Sequence, residues 1–242
     1  MDYVFQKAYR IYFIMPFIQG GELFKHLSEK RRFSEEKTKF YAAQIALALG
    51  YLHQSDIIYR DLKPENILLN DDGYIMLADF GLAKILQTDR RAEPNSFCGT
   101  PEYLSPEMIV GSGHDKTLDW WALGILIYEM IIGIPPFYNP NINQMYYLIQ
   151  NAQIRWPNMQ KHGFEVSENA IDLISKVSFF PLVHHIYSVS RCLTRIDIRG
   201  SDITTIWTRF SRIRSLLTLT SNSYWLSRSK LPSFRRCAMR ET

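Results

Sequence analysis

The sequence predicts a mainly α-helical body, residues 1–176, followed by a basic tail, residues 177–242. Two stretches, 34–53 and 119–132, have the length and apolar content of buried helices. Between them, the turn residues Asn70–Gly73 separate two short apolar runs, which is the pattern of a β-hairpin. After residue 176 no period of two or of 3.6 persists. We therefore expect the tail to be poorly ordered.

The body begins with a predicted strand and a short helix. Ile11–Phe17 is a run of large apolar residues containing Pro16, which suits an edge strand that leads into a turn. Glu22–Lys30 places Leu23 and Leu27 four residues apart on one face, as an amphipathic helix does.

The next helix has the clearest start signal in the chain. Ser34 is a favourable N-cap, and Glu35 and Glu36 suit the positive end of the helix dipole. Apolar residues then keep helical spacing as far as about His53: Tyr41, Ile45, Leu49 and Leu52.

Two helices are predicted after the hairpin, which joins Ile67–Leu69 to Tyr74–Ala78. The segment 119–132 is apolar on nearly every side, so it should be buried all round until Gly133 ends it. A last helix begins after Ser167, its N-cap, and continues towards residue 176.

Charge is unevenly distributed along the 242 residues. The formal net charge is +4, but residues 177–242 carry 11 Lys and Arg against 3 Asp and Glu, which leaves −4 for the body. The basic balance therefore indicates no nucleic-acid partner for the body. A nucleic-acid arm in the tail, with Trp207 and Trp225 as stacking platforms, is the less favoured alternative.

Cysteine usage and hydropathy favour an intracellular protein. The three cysteines, Cys98, Cys192 and Cys237, are odd in number and lack metal-ligand spacing. The longest apolar run, Trp120–Ile134, is shorter than the roughly 20 residues that span a bilayer and contains Glu129. No secretory signal is evident. We expect no membrane span and a cytoplasmic location, with the nucleus as the alternative.

An ordered series of short motifs carries the functional information. Each is weak alone, but together they occur in one order and at fixed spacing. They are Gly20–Glu22, Tyr59–Asn66, Asp79–Gly81, Cys98–Tyr103, Ser105–Glu107 and Asp119–Gly124. Residues 8 to 176 resemble the eukaryotic protein kinases, in particular the AGC-type Ser/Thr kinases, a group that includes the cyclic-nucleotide-dependent kinases. The implied fold is the kinase C-terminal lobe, a helical bundle with a hairpin beside the catalytic loop.

The resemblance implies ATP and Mg²⁺ as cofactors. Asp61 would accept the proton of the substrate hydroxyl, and Lys63 would meet the γ-phosphate. Asn66 and Asp79 would bind the metal. Met15 would be the gatekeeper, the backbone of Pro16 and Ile18 would meet adenine, Leu68 would lie beneath it, and Glu22 would bind the ribose. The implied nucleotide set is Met15, Pro16, Ile18, Glu22, Lys63, Glu65, Asn66, Leu68 and Asp79.

The resemblance also implies protein substrates with basic residues before the target Ser or Thr. Glu22, Glu65 and Glu129 would receive the arginines, although structural ion pairing is the alternative for these acids. Thr100 would contact Asp61 and Lys63. An apolar pocket for the residue after the target would be formed by Phe97, Pro101 and Leu104. Ser96 would be phosphorylated by an upstream kinase, or else is an ordinary loop serine.

Two departures from the family pattern affect these expectations. Nothing before residue 15 resembles a Gly-rich loop or its lysine strand, so the N-terminal lobe is expected to be largely absent and phosphotransfer by this chain slight. A catalytically silent, truncated kinase-like binding module is the competing interpretation. Ser105 replaces the usual Ala before Pro106, a change expected to be harmless.

Overall fold

The computed structural model describes residues 2–86, 97–112, 115–157 and 165–179, all within one compact unit, Met1–Asp197. Their strands are β1 (Tyr3–Lys7), β2 (Arg10–Ile14), β3 (Ile57–Ile58), β4 (Ile67–Leu69), β5 (Ile75–Leu77) and β6 (Lys84–Ile85). Their helices are α1 (Leu23–Lys30), α2 (Glu35–Gln54), α3 (Pro106–Val110), α4 (Thr117–Ile132), α5 (Ile142–Asn151) and α6 (Glu168–Phe179), with 3-10 turns at Pro64–Asn66 and Pro101–Tyr103. The mainly helical prediction is confirmed.

Helix α4 lies at the centre of the core, between α2 and α6. Nearly all of its residues are buried, and Gly133 ends it in the left-handed conformation at φ 101°. Helix α2 begins as predicted, because the Ser34 hydroxyl accepts a hydrogen bond from the Lys37 amide at 3.3 Å. Both long-helix predictions are confirmed. Helix α2 packs against β3 and β5, and helix α4 packs against α2 and the 3-10 turn at Pro101–Tyr103.

The N-terminal strands form a hairpin that the sequence only half predicts. Strand β2 overlaps the expected Ile11–Phe17 run but begins one residue earlier, and the sequence carries no signal for β1. The two strands pair antiparallel, with Phe5 stacked on Tyr12 at 4.8 Å between ring centroids. Every residue of the pair except Tyr12 is exposed. Since little is buried, no alternation of apolar and polar residues marks β1.

The predicted hairpin forms and joins three parts of the chain. Strands β4 and β5 pair antiparallel, and the Gln44 side chain of α2 accepts the Ile75 amide at 3.0 Å. On the other side, the Gly20 amide donates to Leu69 O at 2.9 Å. A Cβ at Gly20 would lie 2.3 Å from that oxygen, so only glycine permits this approach. The turn before α1 is thereby fixed against β4.

The last described helix starts where the sequence predicts it. The Ala170 amide donates to the Ser167 hydroxyl at 3.2 Å, and α6 then continues to Phe179, three residues past the expected boundary at 176. The remaining tail, residues 180–242, lies outside the described residues, so its expected disorder stays a prediction. Among the described residues, no helix is long and apolar enough to span a membrane.

Candidate active site

Three polar side chains converge on the carboxylate of Asp61, which is only 8% exposed. Asn66 Nδ2 donates to Asp61 Oδ2 at 2.8 Å, and Lys63 Nζ lies 3.1 Å from the same oxygen. Asp61 Oδ1 accepts from the Thr100 hydroxyl at 3.2 Å, and Lys63 Nζ donates to that hydroxyl at 3.0 Å. The carboxylate is therefore held in one orientation by both the catalytic loop and a segment 39 residues away.

A second, fully buried carboxylate fixes the backbone of the catalytic loop. Asp119 in α4 accepts hydrogen bonds from the amides of Tyr59 at 2.9 Å and Arg60 at 2.8 Å. Its Oδ2 also lies 2.7 Å from His53 Nε2. Arg60 has a φ of 69°, a conformation that a non-glycine residue rarely adopts unless its surroundings impose it. Sequence analysis placed Asp119 in a motif but assigned it no role.

Asp79 follows the hairpin, whose end is joined to the catalytic loop. The Ala78 amide donates to Asn66 O at 2.8 Å, and the Tyr59 hydroxyl donates to Ala78 O. Asp79 is exposed, has a φ of 53°, and accepts the Gly81 amide at 3.0 Å. These contacts bring the segment that carries Asp79 beside Asn66, as predicted.

The donor set fits Mg²⁺. Among the described residues, no group of three His, Cys, Asp or Glu could hold a metal ion. Mg²⁺ does not require such a cage, because it is commonly held by one or two carboxylates together with phosphate oxygens and water. The Asp79 carboxylate and the Asn66 amide oxygen are ligands of that kind.

Four of the predicted nucleotide residues, Met15, Pro16, Ile18 and Glu22, lie between β2 and α1, next to the hairpin. Met15 and Pro16 are exposed, and Ile18 is partly buried. Glu22 forms an antiparallel bridge with Leu68 in β4, and the Leu69 amide donates to Gly21 O at 2.8 Å. The segment between β2 and α1 is therefore attached to the same short hairpin that separates Asn66 from Asp79.

Three acidic side chains form a second group. Glu129 in α4 is 9% exposed and accepts a hydrogen bond from the Tyr103 hydroxyl. Burial, reinforced by the charges of Glu65 and Glu102, raises the pKa of Glu129 to about 7, although the Tyr103 bond opposes this. Burial, with the nearby Glu129 charge, also raises the Tyr103 pKa. The sequence assigns Glu102 no role, because its only signal is its place between Pro101 and Tyr103.

The remaining predicted substrate residues lie in and next to the segment 97–104, and their roles stay predictions. Phe97 is exposed, with its ring 6.0 Å from that of Tyr146, and Pro101 begins a 3-10 turn. Leu104 is only 3% exposed and packs with a buried cluster, and its part in the pocket stays a prediction. Ser96 lies outside the described residues.

Comparison with known families explains this arrangement. The family model "Protein kinase domain" matches residues 1–179. The chain belongs to the protein kinase family. The network at Asp61 and the segment after the hairpin that carries Asp79 both lie in the matched kinase region. The acidic group of Glu65, Glu102 and Glu129 lies there too, on the two 3-10 turns and α4.

Similar proteins place the kinase sequence among the AGC-type Ser/Thr kinases. It is 49% identical over 178 residues to serine/threonine-protein kinase sgk-1 of Caenorhabditis elegans, covering 73% of this chain and 37% of that protein. It is 48% identical over 177 residues to serine/threonine-protein kinase gad8 of Schizosaccharomyces pombe, covering 72% and 30%. Rat serine/threonine-protein kinase Sgk1 is 44% identical over 193 residues, covering 77% and 45%. The chain therefore spans less than half the length of these relatives.

Proposed function

We propose that this chain carries the catalytic-loop and substrate-binding part of an ATP- and Mg²⁺-dependent protein Ser/Thr kinase. The observation that supports this most strongly is the shared network of Asp61, Lys63 and Thr100. A hydroxyl nucleophile needs a fixed acceptor for its proton, and phosphoryl transfer depends mainly on positioning and on stabilising charge.

Each member of the network has a distinct part in this reaction. Asp61 Oδ1 and Oδ2 are oriented by Thr100 and Asn66, so the carboxylate can accept a proton without first reorganising. Lys63, 23% exposed, presents an ammonium group at the same point, where it would stabilise charge on the transferring phosphoryl group. The Thr100 hydroxyl, in the segment before α3, accepts a hydrogen bond from Lys63 and donates one to Asp61.

Asn66 and Asp79 would hold the metal. A Mg²⁺ ion held by these two side chains would neutralise negative charge on the phosphate groups. The Asn66 amide nitrogen is engaged with both the carbonyl and the carboxylate of Asp61, at 2.8 Å each, which orients the amide group. The hydrogen bond from the Ala78 amide to Asn66 O fixes the distance between the two segments that carry these ligands.

The acidic group supports a preference for basic protein substrates. The charges of Glu65 and Glu102 both act on the buried carboxyl of Glu129. Oε2 of Glu65 is buried with no hydrogen-bond partner among the described residues. A guanidinium with its fork of donors would satisfy such carboxylates and lower the cost of keeping them together. An acidic peptide would add repulsion instead.

The test is a phosphotransfer assay on a chimera between this chain and one of its relatives. A chimera that joins the N-terminal part of a 44–50% identical relative to this chain is incubated with Mg²⁺, ATP and a peptide library. We expect transfer to Ser or Thr preceded by Arg, loss of transfer with Asp61→Asn, and a weaker Arg preference with Glu65→Ala.

The outcomes separate the competing interpretations. Transfer to tyrosine, or a preference for acidic targets, would contradict the proposed specificity. Arg-peptide binding without any Asp61-dependent transfer would instead support the silent binding module. Glu35→Ala, on α2 outside the acidic group, serves as the matched control for loss of one carboxylate, and it should leave the Arg preference unchanged.

A further inference from the structure

Ser105 has a buried hydroxyl without a partner. It is 1% exposed, and its Oγ makes no hydrogen bond to any described residue. Ser105 is the N-cap of α3, a position where a serine hydroxyl normally accepts a helix amide. Here the Ser105 carbonyl accepts the amides of Met108 and Ile109 at 3.1 and 3.2 Å, and the hydroxyl caps nothing. A buried unsatisfied hydroxyl is unfavourable.

Ser105 lines a small cavity. It does so together with Asp61 and Thr100 on the polar side and Leu104 and Met108 on the apolar side. It offers about 10 Å³ for the centre of a water-sized sphere, which is about the minimum that holds one water molecule. It cannot accommodate a larger ligand. Asp61 and Thr100, two members of the network described above, therefore border the same cavity as Ser105.

We propose that Ser105 holds one internal water in this cavity and, through it, positions the Asp61–Thr100 pair. The Thr100 hydroxyl donates to Asp61 and accepts from Lys63, which leaves it one lone pair, and Asp61 Oδ1 has a further acceptor site. A water that accepts from the Ser105 hydroxyl can donate to these oxygens. Such a water satisfies the otherwise unpaired hydroxyl and links α3 to the catalytic loop.

Ser105 is therefore a positioning residue. The Asp61–Thr100 hydrogen bond is long, at 3.2 Å, so a bridging donor would hold the pair more firmly than that bond does alone. The catalytic consequence rests on the proposed function. The water site itself does not, and it can be tested on the 242-residue chain without any kinase assay.

The experiment compares Ser105→Ala with the parent chain by urea unfolding and by water-to-amide cross-relaxation in NMR. If the water is present, Ser105→Ala removes a satisfied hydrogen bond and lowers the unfolding midpoint by about 0.5 M urea. Cross-relaxation between a long-lived water and the amides of Thr100, Leu104 and Ser105 should be seen in the parent and lost in the variant.

Thr38 provides the matched control. Its Oγ1 is also buried and makes no hydrogen bond within the described part of the chain, but Thr38 does not line this cavity. Thr38→Val should leave the cross-relaxation at Thr100 and Leu104 unchanged. A raised midpoint in Ser105→Ala would show that its hydroxyl is unsatisfied and would overturn the proposal. A lowered midpoint without the long-lived water signal in the parent would overturn it as well.

Discussion

The buried carboxyl of Glu129 should make the kinase chain less stable as pH rises. Burial raises its pKa from the usual 4.5 to about 7, and the Glu65 and Glu102 charges act in the same direction. The folded chain therefore keeps this proton over a pH range in which the unfolded chain has released it. The free energy of unfolding must fall across that range.

The magnitude follows from the size of the shift. Below about pH 4.5 the carboxyl is protonated in both states and contributes no pH dependence. Between about pH 4.5 and pH 7 the folded state binds more protons, so stability declines, and above pH 7 the full penalty of about 3 kcal/mol is present. Glu129→Gln keeps the shape of the side chain and an acceptor for the Tyr103 hydroxyl but cannot ionise.

The assay is urea unfolding of parent and variant at pH 5 and pH 8, followed by tryptophan fluorescence. We expect nearly equal stability at pH 5 and an advantage of about 2–3 kcal/mol for Glu129→Gln at pH 8. Tyr103→Phe, which removes the hydrogen bond that favours the charged carboxylate, should lose stability at pH 8 more than at pH 5. An equal effect of Glu129→Gln at both pH values would refute the reasoning.

Three further predictions concern residues outside the Asp61 network that hold the surrounding backbone in place. Asp119→Ala leaves buried backbone donors of the catalytic loop without their acceptor and should cost about 3–5 kcal/mol in urea unfolding. Gly20→Ala places a Cβ 2.3 Å from Leu69 O and should cost about 1–3 kcal/mol, measured the same way; an unchanged midpoint would mean that the turn does not approach β4 this closely. Ser34→Ala removes the cap from α2 and should cost about 1 kcal/mol, with faster hydrogen exchange confined to the first turn.

The sequence predicts the long helices and the grouping of Asp61, Lys63 and Asn66. Helix α4 is apolar on all sides because it is buried on all sides, and α2 carries a cap and a periodic face. Asp61, Lys63 and Asn66 lie within six consecutive residues, so local sequence already places them together. Their grouping in the structure confirms what that spacing indicates.

Contacts between distant segments leave no local pattern and were missed. The Asp119 carboxylate meets amides about 60 residues earlier, and nothing around Asp119 specifies those partners. Glu102 joins the acidic group only because the 3-10 turn at Pro101 and helix α4 pack together. Strand β1 was missed because its exposed residues need no alternation between two faces.

The most direct test of the central claim is paramagnetic broadening by Mn²⁺ in the isotope-labelled 242-residue chain, with ATP present. If Asn66 and Asp79 hold the metal of the nucleotide, the amides of Asn66, Ala78 and Gly81 should broaden first, and Asp79→Asn should abolish the effect. Broadening that centres on Glu65, Glu102 and Glu129 and persists in Asp79→Asn would contradict the account.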